Sequence, residues 1–233
     1  MGSNPTGGFL FLPDAMYLKY LKLFDKYYVM ITVEFMGMPK TGKTTQIDLV
    51  EDALEDNNGY KVGSVAESAM KSPLDKDNHF KYNAWCFHET ANKIMEQQLR
   101  DDLDYLFVDR GIYDRMVFDD VLYKKSKISK ESRDIHKEYV KQFTDLEDKV
   151  VAFLVEPQTS LEREFGDGGR VMNGDFLGIL YESYQDILSQ IEDVDLKVVD
   201  ASNDMREVRD EVYRFLEMED ESSYTEDVIQ TVC

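Results

Sequence analysis

A chain of 233 residues with 42% hydrophobic side chains is long enough for one α/β domain with a sizeable core. Its 27 Lys and Arg stand against 47 Asp and Glu, a net charge of −20, which repels nucleic-acid backbones and anionic membranes and argues against a polynucleotide or membrane partner. Two distant cysteines, Cys86 and Cys233, exclude a disulfide framework, and no apolar run approaches the roughly 20 residues that span a bilayer, so a cytoplasmic protein is expected.

In chain order, residues 1–13 are rich in Gly and Pro and are expected to lack structure, while 14–28 reads as an amphipathic helix carrying Leu18, Leu21 and Phe24 on one side. Two readings of 1–28 stay open: an accessory helix packed on a sheet, or a leader ahead of a true start at Met16 or Met30. Residues 29–36 form a short apolar run, expected as a buried strand. Gly37-Met38-Pro39-Lys40-Thr41-Gly42-Lys43-Thr44 then matches G-x-x-x-x-G-K-[ST], and Ile47, Val50 and Leu54 follow at helical spacing up to Asn57-Asn58-Gly59. Strand, glycine loop and helix in this order make a phosphate site: Gly37 and Gly42 let backbone N–H groups face phosphate oxygens, and the helix N-terminus adds its dipole. Lys43 can reach the β- and γ-phosphates, the Thr44 hydroxyl can ligate Mg²⁺, and the loop through Thr45 forms the binding surface for a nucleoside triphosphate.

Further apolar runs at 61–67, 104–109, 150–155 and 196–200, separated by helical segments, predict a parallel sheet covered on both faces. Glu67 ends the second run, where a carboxylate can accept a proton from an attacking hydroxyl; an N-cap is the structural alternative. Between the second and third runs a helix carries Trp85-Cys86-Phe87-His88-Glu89, from which Trp85 can stack on a base and His88 hydrogen-bond its edge, or both can be core and surface residues. Asp109-Arg110 ends the third run at the carboxyl edge, the ligand edge of open α/β sheets, with Ile112-Tyr113 behind it. Helices are expected over 112–125 and 130–148. A glycine-rich stretch between Arg163 and Arg170 suggests a lid near 160–173, with a simple loop as the alternative. The helical period Phe176, Ile179, Leu180, Tyr184, Ile187, Leu188, Ile191 starts behind Asn173, an expected N-cap. A last amphipathic helix covers 204–219, and 217–233 is an acidic tail. His79, His88 and His136 show no metal-ligand spacing with the cysteines.

The loop at 37–44, Glu67, Asp109-Arg110 with Ile112-Tyr113, and Leu161-Glu162-Arg163 together resemble the deoxynucleoside kinase and thymidylate kinase branch of P-loop kinases, over most of 30–216. The resemblance implies a three-layer P-loop kinase fold, with a five-stranded parallel sheet ordered 2-3-1-4-5 and helices on both faces. It further implies γ-phosphoryl transfer from ATP, with Mg²⁺, to a nucleoside or nucleoside monophosphate. Lys43 and Thr44 then serve phosphate and metal, Glu67 is the base, and Asp109 belongs to the Mg²⁺ shell. Arg110 and Tyr113 bind the acceptor, and Arg163 and Arg170 close over the phosphates. Members are often homodimers, for which 112–125 and 130–148 are candidate faces unless they are buried within one subunit. The chain departs from the pattern at Ser68, at Met38-Pro39-Lys40 and in a lid poor in arginine. A kinase of another small metabolite and a nucleotide-dependent switch are the alternatives; no Asn-Lys-x-Asp guanine signature occurs.

Overall fold

The computed structural model describes residues 30–77, 79–166 and 173–217. The readings of 1–28, of Arg170 and of the acidic tail beyond Glu217 lie outside them. Five strands alternate with helices: β1 Ile31–Gly37, α1 Lys43–Asn58, β2 Val62–Val65, α2 His79–Gln98, β3 Tyr105–Asp109, α3 Ile112–Lys124, α4 Lys130–Val140, β4 Lys149–Leu154, α5 Pro157–Gly166, α6 Gly174–Leu188, β5 Asp195–Asp200 and α7 Met205–Glu217. Short 3-10 turns at Ser68–Lys71 and Lys141–Leu146 follow β2 and α4, so the helix expected over 130–148 ends at Val140. All strand pairs are parallel, in the order β2-β3-β1-β4-β5 that the resemblance implies.

β1 is central, and from Thr32 onward every residue of it is buried. Phe35 meets Phe107 edge-on at 4.9 Å and stacks on Phe153 at 6.1 Å, tying β1 to both neighbours. Helices α1 and α7 pack together on one face, and α2, α3 and α6 on the other. Coverage is less complete than the apolar run at 196–200 predicts: β5 is an edge strand, and Val198 is 47% exposed. Two caps fall where the sequence signals them. Gly59 closes α1 in the left-handed conformation, and the Asn173 side chain accepts from the N–H of Asp175 at the start of α6.

A parallel sheet brings every strand end to one edge. Here the loop after β1, Glu67 after β2, Asp109-Arg110 closing β3 and the Ala201–Asp204 turn after β5 all emerge at the carboxyl edge.

Candidate active site

The glycine loop is built tightly onto the sheet. Gly37 has φ +148°, and a Cβ there would lie 2.2 Å from the carbonyl oxygen of Phe153, so no other residue fits. Met38 donates its N–H to that same oxygen and is buried, so its side chain is core and its N–H is already engaged. The carbonyl of Pro39 accepts from Ser160, Thr41 donates its hydroxyl to the Met38 carbonyl, and Lys40 pairs with Glu164 at 3.7 Å. These side chains shape the loop. Gly42, at φ +78°, is the N-cap of α1 and supplies no capping side chain, and the first turn carries no acid. The helix therefore presents N–H donors and the positive end of its dipole, an arrangement suited to an anion.

Lys43 forms an ion pair with Asp109 across the cleft, and Thr44 donates its hydroxyl to the other carboxylate oxygen at 3.2 Å. Burial, then the neighbouring Arg110 charge, pulls the Lys43 ammonium down to about 7. Thr45 is exposed beside them. A hydroxyl and a carboxylate side by side are an oxygen donor set suited to Mg²⁺, which takes few protein ligands and completes its shell with phosphate and water. Among the described residues no group of three or more His, Cys, Asp or Glu is placed to hold a metal ion.

Arg110 is the hub. It is buried with φ +64°, a left-handed conformation that costs a non-glycine residue about 1–3 kcal/mol and tends to mark functional sites. Its guanidinium donates to both oxygens of Asp114 at 3.1–3.2 Å and to the Tyr184 hydroxyl, and meets Glu67 at 3.3 Å. Burial opposes its charge, but Asp114, Tyr184 and Glu67 more than offset this, and its pKa is raised. Asp114, penalised by burial, is nonetheless held low by Arg110 and Arg115. The single O–H of Tyr184 is shared between the Gly37 carbonyl at 2.7 Å and Asp114 at 2.6 Å, joining the loop, α3 and α6.

Two cavities flank this hub. One, of about 740 Å³, lies between Lys40–Gly42, Gln46, Arg163 and the turn Asn203–Met205. Arg163 donates to the carbonyls of Lys40 and Ala201, so it braces the wall of this cavity, whereas the sequence suggested a lid arginine over the phosphates. The other, of about 280 Å³, is lined by Glu67, Tyr82, Asn83, Arg115, Phe118 and Phe176. Phe118 lies under both guanidinium groups, at 5.6 Å from Arg110 and 6.0 Å from Arg115. Arg115 donates to the Arg110 carbonyl, while its buried Nε has no protein acceptor.

Three expected acceptor residues lie elsewhere. His88 is exposed, its ring against Phe87 and Tyr139, and half-buried Trp85 does not line the second cavity. At about 100° per residue, Tyr82 and Asn83 occupy the cavity side of α2, which puts Trp85 off that side and His88 nearly opposite. Tyr113 turns its hydroxyl to Asp193, at the far edge of the sheet. Asp114, Arg115, Tyr82, Asn83 and Asn203 were not singled out, and Tyr184 was read only as part of a helical period. Only Asp114 and Asn203 carried a signal, the first one helical turn after Arg110 and the second behind a strand end.

This sheet order with a glycine loop after the central strand defines the P-loop kinase fold. Among solved structures, the chain is similar to deoxyadenosine kinase from M. mycoides. With the products dCMP and a flexible dCDP bound, that enzyme gives a TM-score of 0.62 at 16% identity, covering 80% of this chain and 98% of the other. The dATP complex gives 0.61 at 16%, covering 79% and 98%, and the dCTP complex 0.59 at 17%, covering 80% and 98%. At this identity the likeness is one of fold. No family model matches the sequence, and a search of curated proteins finds no match. No helix among the described residues is long and apolar enough to cross a membrane.

Proposed function

We propose that the protein is an ATP-dependent kinase that transfers the γ-phosphoryl group to a hydroxyl of a nucleoside. The observation that carries this reading is the Glu67–Arg110 pair, 3.3 Å apart, standing between the phosphate loop and an aromatic-walled cavity to which Glu67 also belongs. The larger cavity beside Arg163 and Asn203 suits the ATP base, with the triphosphate running along the loop toward Lys43. The smaller cavity suits the acceptor: Phe118, Phe176 and Tyr82 offer faces to a planar base, and Glu67 and Arg115 add charged groups to its lining. The neighbours with this fold, bound to deoxynucleotides, support the same assignment.

Glu67 accepts the proton of the attacking hydroxyl as the new O–P bond forms and the bond to the β-phosphate oxygen breaks, leaving ADP. Lys43 offsets negative charge on the transferring group, Arg110 holds the Glu67 carboxylate in place, and the loop N–H groups orient the phosphates. Thr44 and Asp109 are the residues to hold Mg²⁺, which when bound neutralises phosphate charge. A nucleoside monophosphate acceptor is less favoured, because Arg110 is already committed to Asp114 and Glu67.

The test is ADP release from Mg-ATP in the presence of a panel of nucleosides, deoxynucleosides and their monophosphates. Turnover stimulated by a nucleoside is expected. Stimulation by monophosphates alone would reassign the acceptor, and ATP binding without any stimulation would favour the switch or another metabolite.

A further inference from the structure

A third cavity, of about 310 Å³, shares no residue with the two at the active site. It lies by Thr144, ahead of β4, and Asp193, ahead of β5, and so at the amino edge of the sheet, opposite the phosphate loop. Its floor is apolar, made by buried Met116 and Ile187 with half-buried Ile191. Its walls are not uniform in charge. From α4 and the turn after it come Lys137 and Lys141; from the α6–β5 link come Gln190, Glu192 and Asp193.

Among the described residues, the Lys137 ammonium donates to a neutral acceptor, Gln190, at 2.6 Å and forms no ion pair. Burial, then the charges of Lys141 and Arg133, lower its pKa, with Asp120 and Glu138 opposing the shift. Lys141 pairs with exposed Glu138 at 3.1 Å, an exposed contact of little strength. On the opposite wall, Asp193 accepts from the Tyr113 hydroxyl at 3.1 Å and from Thr144 at 3.3 Å. The lining therefore sets two ammonium groups on one wall against two carboxylates on the other, across an apolar floor.

We infer that this cavity is a second ligand site, for a small molecule with an anionic head, phosphoryl or carboxylate, and a tail carrying hydrogen-bond donors. The head meets Lys137 and Lys141, the tail reaches the carboxylates of the α6–β5 link, and the body lies over Met116 and Ile187. Charge-assisted hydrogen bonds from two lysines fix the head.

Tyr113 reports on occupancy, since its hydroxyl is part of the wall. The full-length chain, with its 14 tyrosines as 3-fluorotyrosine, gives a ¹⁹F spectrum in which the Tyr113 resonance is assigned by its loss in Tyr113→Phe. Ribose 5-phosphate, gluconate and ribose are the probes. A saturable shift of the Tyr113 resonance is expected with one or both anions, which identifies the head, and none with ribose. The Lys137→Met/Lys141→Met double variant should weaken the effective anion by at least about tenfold while leaving the other tyrosine resonances dispersed. No Tyr113 shift with either anion, an equal response to ribose, or undiminished binding by the double variant would overturn the assignment. The readout involves no phosphoryl transfer, so the kinase reading can fail without it.

Discussion

Two side chains divide the work at the hub. Glu67 faces both Arg110 and the acceptor cavity, whereas Tyr184 touches only protein groups, the Gly37 carbonyl, Asp114 and Arg110. Replacing each therefore has a different signature. Glu67→Gln keeps shape and removes the proton acceptor, so ATP affinity should stay within about twofold while kcat falls roughly 10²–10⁴-fold, the range for general-base catalysis. Equilibrium ATP binding alongside single-turnover transfer measures both, and retained kcat would remove Glu67 from the mechanism. Tyr184→Phe deletes a buried hydroxyl and leaves the Gly37 carbonyl without its donor. Chemical denaturation should show a loss of about 1–3 kcal/mol, the cost of orphaning a buried polar group. Unchanged stability would mean that the hydroxyl is not the tie between loop and helix.

At the scale of elements, the start of α3 rests on two buried carboxyl groups. Glu34 of β1 accepts from the N–H groups of Tyr113 and Asp114 with its two oxygens, and Glu147 accepts from that of Ile112 at 3.0 Å. Gly111 leaves them room, since a Cβ there would sit 2.0 Å from the Glu147 carboxyl. These contacts hold the helix that carries Asp114 and Arg115. Two adjacent buried carboxylates cannot both be charged without penalty. Burial, and after it the Glu34 charge, pushes Glu147 well above 4.5, and burial also raises Glu34. Glu34 has two backbone donors and Glu147 has an oxygen with none, so Glu147 holds the proton. The folded state then binds this proton more tightly than the unfolded chain. Stability falls as pH rises from the usual carboxylate value through the raised one. Glu147→Gln keeps the acceptor for Ile112, places an N–H toward Glu34 and cannot titrate. Its Tm should gain on that of the parent chain as pH goes from about 5 to about 8. A gap independent of pH would show that the pair does not share a proton.

Over the whole molecule, what the sequence revealed and what it hid follow from how local each signal is. The loop at 37–44, the strand end at Asp109, and the Gly59 and Asn173 caps are each specified by a few neighbouring residues, and they stand in the structure where the pattern puts them. The second strand instead stops at Val65, and Glu67 takes the N-cap position of the 3-10 turn after it without a capping hydrogen bond from its side chain. The acceptor cavity draws Tyr82 from α2, Phe118 from α3 and Phe176 from α6, segments that meet only through packing. Tyr113 needs Asp193, 80 positions away, to settle its direction. Charge is likewise a property of the whole. Three cations near the triphosphate path are matched, Lys43 by Asp109, Lys40 by Glu164, and Arg110 by Asp114 and Glu67, while Arg163 is engaged by two backbone carbonyls. Local attraction for an incoming anion is therefore short in range, whereas the net −20 acts at a distance. Salt screens the distant field first, because the Debye length falls from about 30 Å at 0.01 M to about 10 Å at 0.1 M. The association rate of a fluorescent ATP analogue, followed by stopped flow, should consequently rise as salt is added over that range. For an anion steered by a basic site the rate falls instead. A falling rate here would mean that the cleft's own cations outweigh the field of the acidic surface.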